Sequence, residues 1–399
     1  MQSLWVNIGK AVQSFKKEGV LVTARRIGRA ALMLLSHPGS GDVLFLTGGG
    51  GAGDSARYRC HHHAEELRLH GLRSSVTVQD HPLLLRAVDR FSIFIFHRPL
   101  MTPVLEKAVE KIKAQGKEII FETDDLLFDP KYLEHSDYVQ KANALERKLY
   151  ENGMGAEILN DPYVKTCTVT TEFLAEKLRE YGKHVFVVPN RLSQEDVSGA
   201  EKILAERAED SNTDTDEPVT LAYFSGSKSH DKDFATITDA LSVLFEKYPE
   251  LRLVLAGPLS TENHLQRYAD RIEVLPFAPR EQHFRNIARV DINLAPLEIG
   301  NPFCEAKSEL KFFEAGIVGV PTVAAATQTF REAIEDGVDG FTAGTTKEWT
   351  EKLERLIGDK ALRESMGERA RQKTLKCYTT ESADNQDYYK YLSSKIKKV

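Results

Sequence analysis

NPFCEAKSELKFFEAGIVGVPTVAA, residues 301–325, is the stretch from which this 399-residue chain is best read. Ser308 is placed to cap a helix, and Glu309 behind it suits the positive end of one. Leu310, Phe313 and Ile317 then fall three and four apart and make one apolar stripe. Lys307, Lys311 and Glu314 share a second face. Gly319 supplies a left-handed cap, Pro321 forbids continuation, and Thr322–Ala325 begins a buried strand. Free N–H groups at a helix start can bind phosphate, and a carboxylate further along can accept from both hydroxyls of a ribose. Such a segment would hold a nucleoside diphosphate. A surface helix with a Lys/Glu salt-bridge face is the competing reading.

Several other stretches combine with it: LAYFSGSKSHDKDF, LRLVLAGPL, VDINLAPLE and FREAIEDGVDGF. In this order they resemble the glycosyltransferases of family 4, which have the GT-B fold. The resemblance runs over most of residues 42–375 and is strongest in the second half. It implies an α/β protein, with two Rossmann-like parallel-sheet domains facing across a cleft. It also implies a nucleotide-sugar donor, with UDP, GDP and dTDP all open, transfer with retention, and no required cofactor. Glu314 would bind the donor ribose. Lys307, Ser308, Glu309, Leu310 and Lys311 would lie along the donor, and Lys232, helped by Lys228, would meet its diphosphate. Gly226 and Ser227 belong to that same loop, and Phe277 would lie along the nucleobase. The family places another glutamate eight residues before the ribose-binding one; here that position is Ala306, with Glu305 one place off.

Composition sets the outer bounds. Charged residues at 28% and hydrophobic ones at 41% describe a globular protein, and a net charge of −6 gives no support for nucleic-acid binding. The four cysteines, Cys60, Cys167, Cys304 and Cys377, are widely spaced and read as free thiols. No apolar run reaches the roughly 20 residues of a membrane-spanning helix. The expectation is a cytoplasmic protein.

Residues 1–40 form a segment of their own. Apolar positions from Trp5 to Leu35 recur at near-helical spacing among Lys10, Lys16, Lys17, Arg25, Arg26 and Arg29. Such a basic amphipathic helical segment suits the anionic inner face of a membrane, through residues 1–36, as well as packing on the protein body. An acceptor that is a glycan or lipid-linked would fit the first choice.

The first domain is expected over 41–190. DVLFLT is a buried strand, followed by the glycine cluster GGGGAGDSARYR, a strand–loop–helix opening of nucleotide type without a P-loop lysine. In GT-B enzymes that loop lines the cleft, which would turn Gly50, Gly51, Arg57 and Arg59 towards it. His61, His62 and His63 are adjacent, so they point three ways and do not form a metal set.

IIFE ends in Thr123-Asp124-Asp125, and ligands gather at strand C-termini in open α/β sheets. Asp124 and Asp125 would orient an acceptor hydroxyl or act as base; capping the next turn is the alternative. His97 and Arg98 end the preceding strand and share the rim. Glu122-x-Asp124 has the outline of a carboxylate pair for metal, but no metal is expected in a GT-B enzyme.

Residues 191–217 read as a linker region, 218–375 as the donor domain, and 376–399 as a C-terminal helix crossing back to the first domain. Lys232 and Lys311, with Asp124 or Asp125, would carry the chemistry. A nucleotide-sugar epimerase and a non-catalytic scaffold subunit remain as rivals.

Overall fold

A computed structural model describes residues 28, 33–34, 36–48, 54–143, 147–148, 150–210, 218–226, 231–257, 259 and 265–396. The amphipathic segment 1–36 lies almost wholly outside these residues, as do Gly50, Gly51, Ser227 and Lys228. The chain forms two compact units. One takes in residues up to Arg191 and those from Ala383 onward; the other is Leu192–Ser382.

The first unit is built on six parallel strands: β1 Val43–Thr47, β2 Ser74–Val78, β3 Ile93–His97, β4 Glu118–Thr123, β5 Thr166–Val169 and β6 His184–Val187. Their spatial order is β2-β1-β3-β4-β5-β6. Runs such as Val43–Thr47 and Ile93–His97 are buried at every position, as a sheet covered on both faces requires. Pro103 at the start of the helix Pro103–Ala114 and the Thr102 cap behind it set that crossover. The helix Gln386–Lys395 packs Tyr388, Tyr389 and Leu392 into the core formed by Val43, Phe45, Ile93 and Ile95. Tyr389 donates to Glu66 at 2.6 Å and Tyr391 to Glu118 at 2.5 Å, so the tail is held by polar as well as apolar contacts.

The second unit has its own parallel sheet: β7 Thr220–Phe224, β8 Arg252–Ala256, β9 Ile272–Leu275, β10 Ile292–Ala295, β11 Thr322–Ala325 and β12 Phe341–Ala343. The order is β12-β11-β10-β7-β8-β9. The three-residue β12 is too short to leave a pattern in the sequence. Residues placed between the domains by sequence form a 17-residue helix, Gln194–Asp210, within this second unit.

The segment 301–325 folds in two pieces, a short helix Pro302–Glu305 and the helix Leu310–Gly316. Ser308 does not cap the latter: Glu309 holds the cap position, with no side-chain cap bond. Asn301 takes a capping role instead, for the first piece, accepting from the Phe303 N–H. The far end follows its glycine: Gly319 has φ 73°, with Val320 N to Ala315 O at 3.1 Å and Gly319 N to Gly316 O at 2.8 Å. These two bonds are a Schellman motif.

The helix Lys360–Cys377 crosses Leu310–Gly316 at close range. A Cβ at Gly367 would stand 2.0 Å from the Gly319 carbonyl oxygen, and one at Gly316 would stand 2.5 Å from Thr374 Oγ1. Tyr378 stacks on Phe313 with ring centres 5.0 Å apart. Small residues at the crossing thus seat the helix that carries Lys311 and Glu314.

Candidate functional site

In each sheet the chain reverses direction of growth once, between β1 and β3 and between β7 and β10. Crevices at such switch points, beyond the strand C-termini, are where open α/β sheets bind ligands. A polar cluster occupies each.

In the second unit Lys311 donates to the carbonyl of Phe224, at the end of β7, and lies 5.2 Å from the Tyr223 ring centre. Burial pulls its pKa down to about 8; Glu314 opposes the shift and Lys307 adds to it. The ammonium is therefore still largely protonated at neutral pH. Lys307 pairs with Asp233 at 2.9 Å. Lys232 sits beside that aspartate, on the exposed face of the helix Asp231–Ala235. Glu314 is 6% exposed and accepts from Arg280 through one oxygen and meets His283 Nε2 at 3.3 Å through the other. Phe277 is exposed on the loop between β9 and the helix Arg280–Ala288.

Two positions in this site follow from local structure. Ala306 is buried at 1% exposure. Glu305 beside it is engaged by backbone donors, Gly300 N–H at 3.0 Å and Gln328 N–H at 3.2 Å. Glu305 thus pins two backbone segments together.

Asp233, Glu298 and Cys304 are, among the described residues, the trio whose ligand atoms lie within 4.8 Å of one another. Lys307 already supplies a positive charge to Asp233, and burial pushes the Cys304 thiol up to about 12. A protonated thiol beside an ammonium is a poor metal set.

In the first unit the sequence candidates separate. Arg59 does not face outward: it is 1% exposed, on a π-helical turn Arg57–His62, and forms a fork to Glu122 with bonds of 2.9 and 2.8 Å. Its Nη1 donates to Val188 O and Asn190 Oδ1. A buried carboxylate so fully answered attracts a guanidinium because neither could be left alone there. It also takes Glu122 out of any metal pair with Asp124. Arg57 stays at the surface of the same turn, half-buried. His62 bonds the Arg191 carbonyl at 2.7 Å and His63 packs edge-on to Phe45, while His61 is exposed, so the three histidines part as expected.

Asp124, Asp125, His97 and Arg98 do come together at the ends of β3 and β4. Arg98 lies 3.3 Å from Asp124 Oδ1 and 3.1 Å from Asp125 Oδ2. Its φ of 47° makes it the one non-glycine residue in the left-handed region among the described residues, a strain that clusters at functional sites. Ser55 completes the group: its hydroxyl donates to Asp124 Oδ2 at 2.5 Å and meets His97 Nε2 at 2.8 Å.

Burial raises the cost of charging Asp124, yet Arg98, His97 and Ser55 outweigh it and hold the carboxyl at about 2. Asp125 moves the other way: burial lifts it, Arg98 resists, and the charge of Asp124 adds to the rise. Asp125 also accepts from the Leu127 N–H at 3.0 Å, which caps the turn after β4. Sequence reasoning missed Ser55, since a serine after a glycine run carries no signal of its own. It also missed Arg280, His283 and Asp196.

Two all-parallel six-stranded sheets in two units make this the GT-B fold. Residues 238–383 match the family described as Glycosyl transferase-like, which marks the second unit in particular.

Among solved structures, HepE of Anabaena, in complex with UDP and glucose, shares 16% identity at a TM-score of 0.58 over 89% of this chain and 100% of that one. Sucrose-phosphate synthase of Thermosynechococcus elongatus shares 14% at 0.59, over 88% and 100%. A glycosyltransferase of Rickettsia africae shares 12% at 0.59, over 88% and 98%. No curated protein matches the chain by sequence.

Proposed function

We propose that the protein transfers a sugar from a nucleotide-sugar donor to a glycan or lipid-linked acceptor, with retention, in surface polysaccharide or glycoconjugate synthesis. The observation that carries this is the gathering of Lys307, Lys311 and Glu314 at the switch point of the second sheet, in a domain of glycosyl transferase-like sequence. The anomeric carbon–oxygen bond breaks and the diphosphate leaves with the electron pair. Lys232 and Lys311 neutralise it where the negative charge grows. Glu314 accepts from the ribose hydroxyls. The acceptor oxygen bonds the anomeric carbon, and its proton passes to the leaving phosphate or to Asp125. Asp124 stays ionised and orients the acceptor. That HepE was solved with UDP supports a uridine donor as the first to try. The basic pattern of residues 1–36 supports a membrane-surface acceptor.

A thermal-shift series with UDP, GDP and dTDP tests the reading. One nucleotide should raise the melting temperature of the wild type, by mass action, and lose that effect in Glu314→Ala and Lys232→Ala. An equal shift in both variants overturns the assignment. Buried Ala306 and the engaged Glu305 favour a second reading, a non-catalytic scaffold. It predicts no turnover with any donor and acceptor.

A further inference from the structure

Lys307 and Lys311 stand on one short segment, and of the two only Lys307 has a carboxylate partner among the described residues, Asp233 at 2.9 Å. Lys311 donates instead to the Phe224 carbonyl and lies 5.2 Å from the centre of the buried Tyr223 ring. An amine removed from water and set near a second cation has its charged form disfavoured, and so becomes a nucleophile near neutral pH. Here burial and Lys307 bring it to about 8 against the pull of Glu314. At about pH 8 about half of the amine is then unprotonated, against roughly one in 250 for an ordinary lysine. The neutral amine keeps an N–H for the Phe224 carbonyl, which turns its lone pair away from that oxygen. Lys183 offers a comparison within the same chain. Its Nζ also donates to a backbone carbonyl, Val164 O at 2.7 Å, and burial lowers its pKa too. It stands before β6, at the end of the first sheet opposite the strand C-termini.

We infer that Lys311 is a covalent modification site: a small acyl phosphate, seated by its phosphate in the crevice proposed for the donor diphosphate, acylates Nζ and so closes that crevice to nucleotides. The seating rests on the donor reading given above. Nζ attacks the acyl carbon, and the bond from that carbon to the phosphate oxygen breaks. Phosphate leaves with the electron pair and takes up the proton that the amine sheds. The amide carries no charge, so a bound diphosphate loses one of its cations.

The test treats the full chain with acetyl phosphate at about pH 8 and follows each lysine by peptide mass spectrometry. Lys311 should be acetylated several-fold faster than Lys183, and inorganic phosphate should slow Lys311 alone. With acetic anhydride, which brings no phosphate, the lead of Lys311 should shrink. Acetylation should weaken nucleoside diphosphate binding about tenfold or more, by calorimetry with UDP, GDP and dTDP. Lys311→Arg, which keeps the charge and is not acylated, should bind equally before and after treatment. Reaction at Lys311 no faster than at Lys183, or without protection by phosphate, overturns the inference. So does unchanged nucleotide affinity once Lys311 is fully acetylated. A wild type that binds no nucleoside diphosphate defeats the donor reading, and phosphate-protected labelling of Lys311 then upholds the modification site by itself.

Discussion

Lys311 bonds the carbonyl of Phe224, the last residue of β7, and so ties the helix of the donor segment to the strand at the sheet's switch point. The bond fixes the ammonium at the C-terminal end of β7, and burial there lowers its pKa to about 8.

This shift gives two opposite pH trends. Affinity for a nucleoside diphosphate needs the charged amine, so it should fall as pH rises through about 8, and calorimetry between about pH 7 and about pH 9 should record the slope. Lys311→Arg should remove that slope, since arginine keeps its charge. For stability the sign reverses: the unfolded chain holds this proton more tightly than the folded one. The contribution of Lys311 to stability therefore grows as pH climbs from about 8 towards the ordinary lysine value.

The pair Arg59–Glu122 should be a stability determinant of the first domain. Both side chains are buried, at 1% and 0% exposure. Removing one partner leaves the other charge unanswered, so Arg59→Met and Glu122→Ala should each cost about 3–5 kcal/mol. Urea unfolding followed through the first domain's transition checks this, and a loss under about 1 kcal/mol contradicts it.

Asp124 and Asp125 should separate kinetically. A group held at about 2 is too weak a base at neutral pH, whereas Asp125 is raised. Asp125→Asn should lower kcat by about 100-fold if it takes the acceptor proton. Asp124→Asn should act mainly on the acceptor KM. Equal losses of kcat in both variants would reject that division.

Gly367→Ala should disturb the donor helix without touching it chemically. The added methyl would stand 2.0 Å from the Gly319 carbonyl oxygen, so the crossing helices must part. A loss of about 1–3 kcal/mol is expected for such overpacking, with weaker nucleotide binding alongside. Melting curves with and without nucleotide measure both.

Much of the architecture was legible locally. Continuous apolar runs such as Val43–Thr47 mark strands buried on both faces, and Gly319 before Pro321 marks a helix end. Failures came where a residue had two local roles open. Ser308 has the type of a cap, yet Glu309 takes that position. Arg59 follows a glycine loop and reads as an exposed cation, but its partner Glu122 lies 63 residues away on another element.

The GT-B expectation came from resemblance to a known family; the sequence by itself determined the alternation of strands and helices and the helix that carries Lys311 and Glu314. Those signals are short-range, because periodicity and turn chemistry act over a few residues. Only the tertiary structure decided which charges turn inward, that Ser55 joins His97 and Asp124, and that Asp196 holds Arg280 against Glu314. A charged side chain goes wherever burial leaves it a partner, and that partner is chosen by the packing of distant elements.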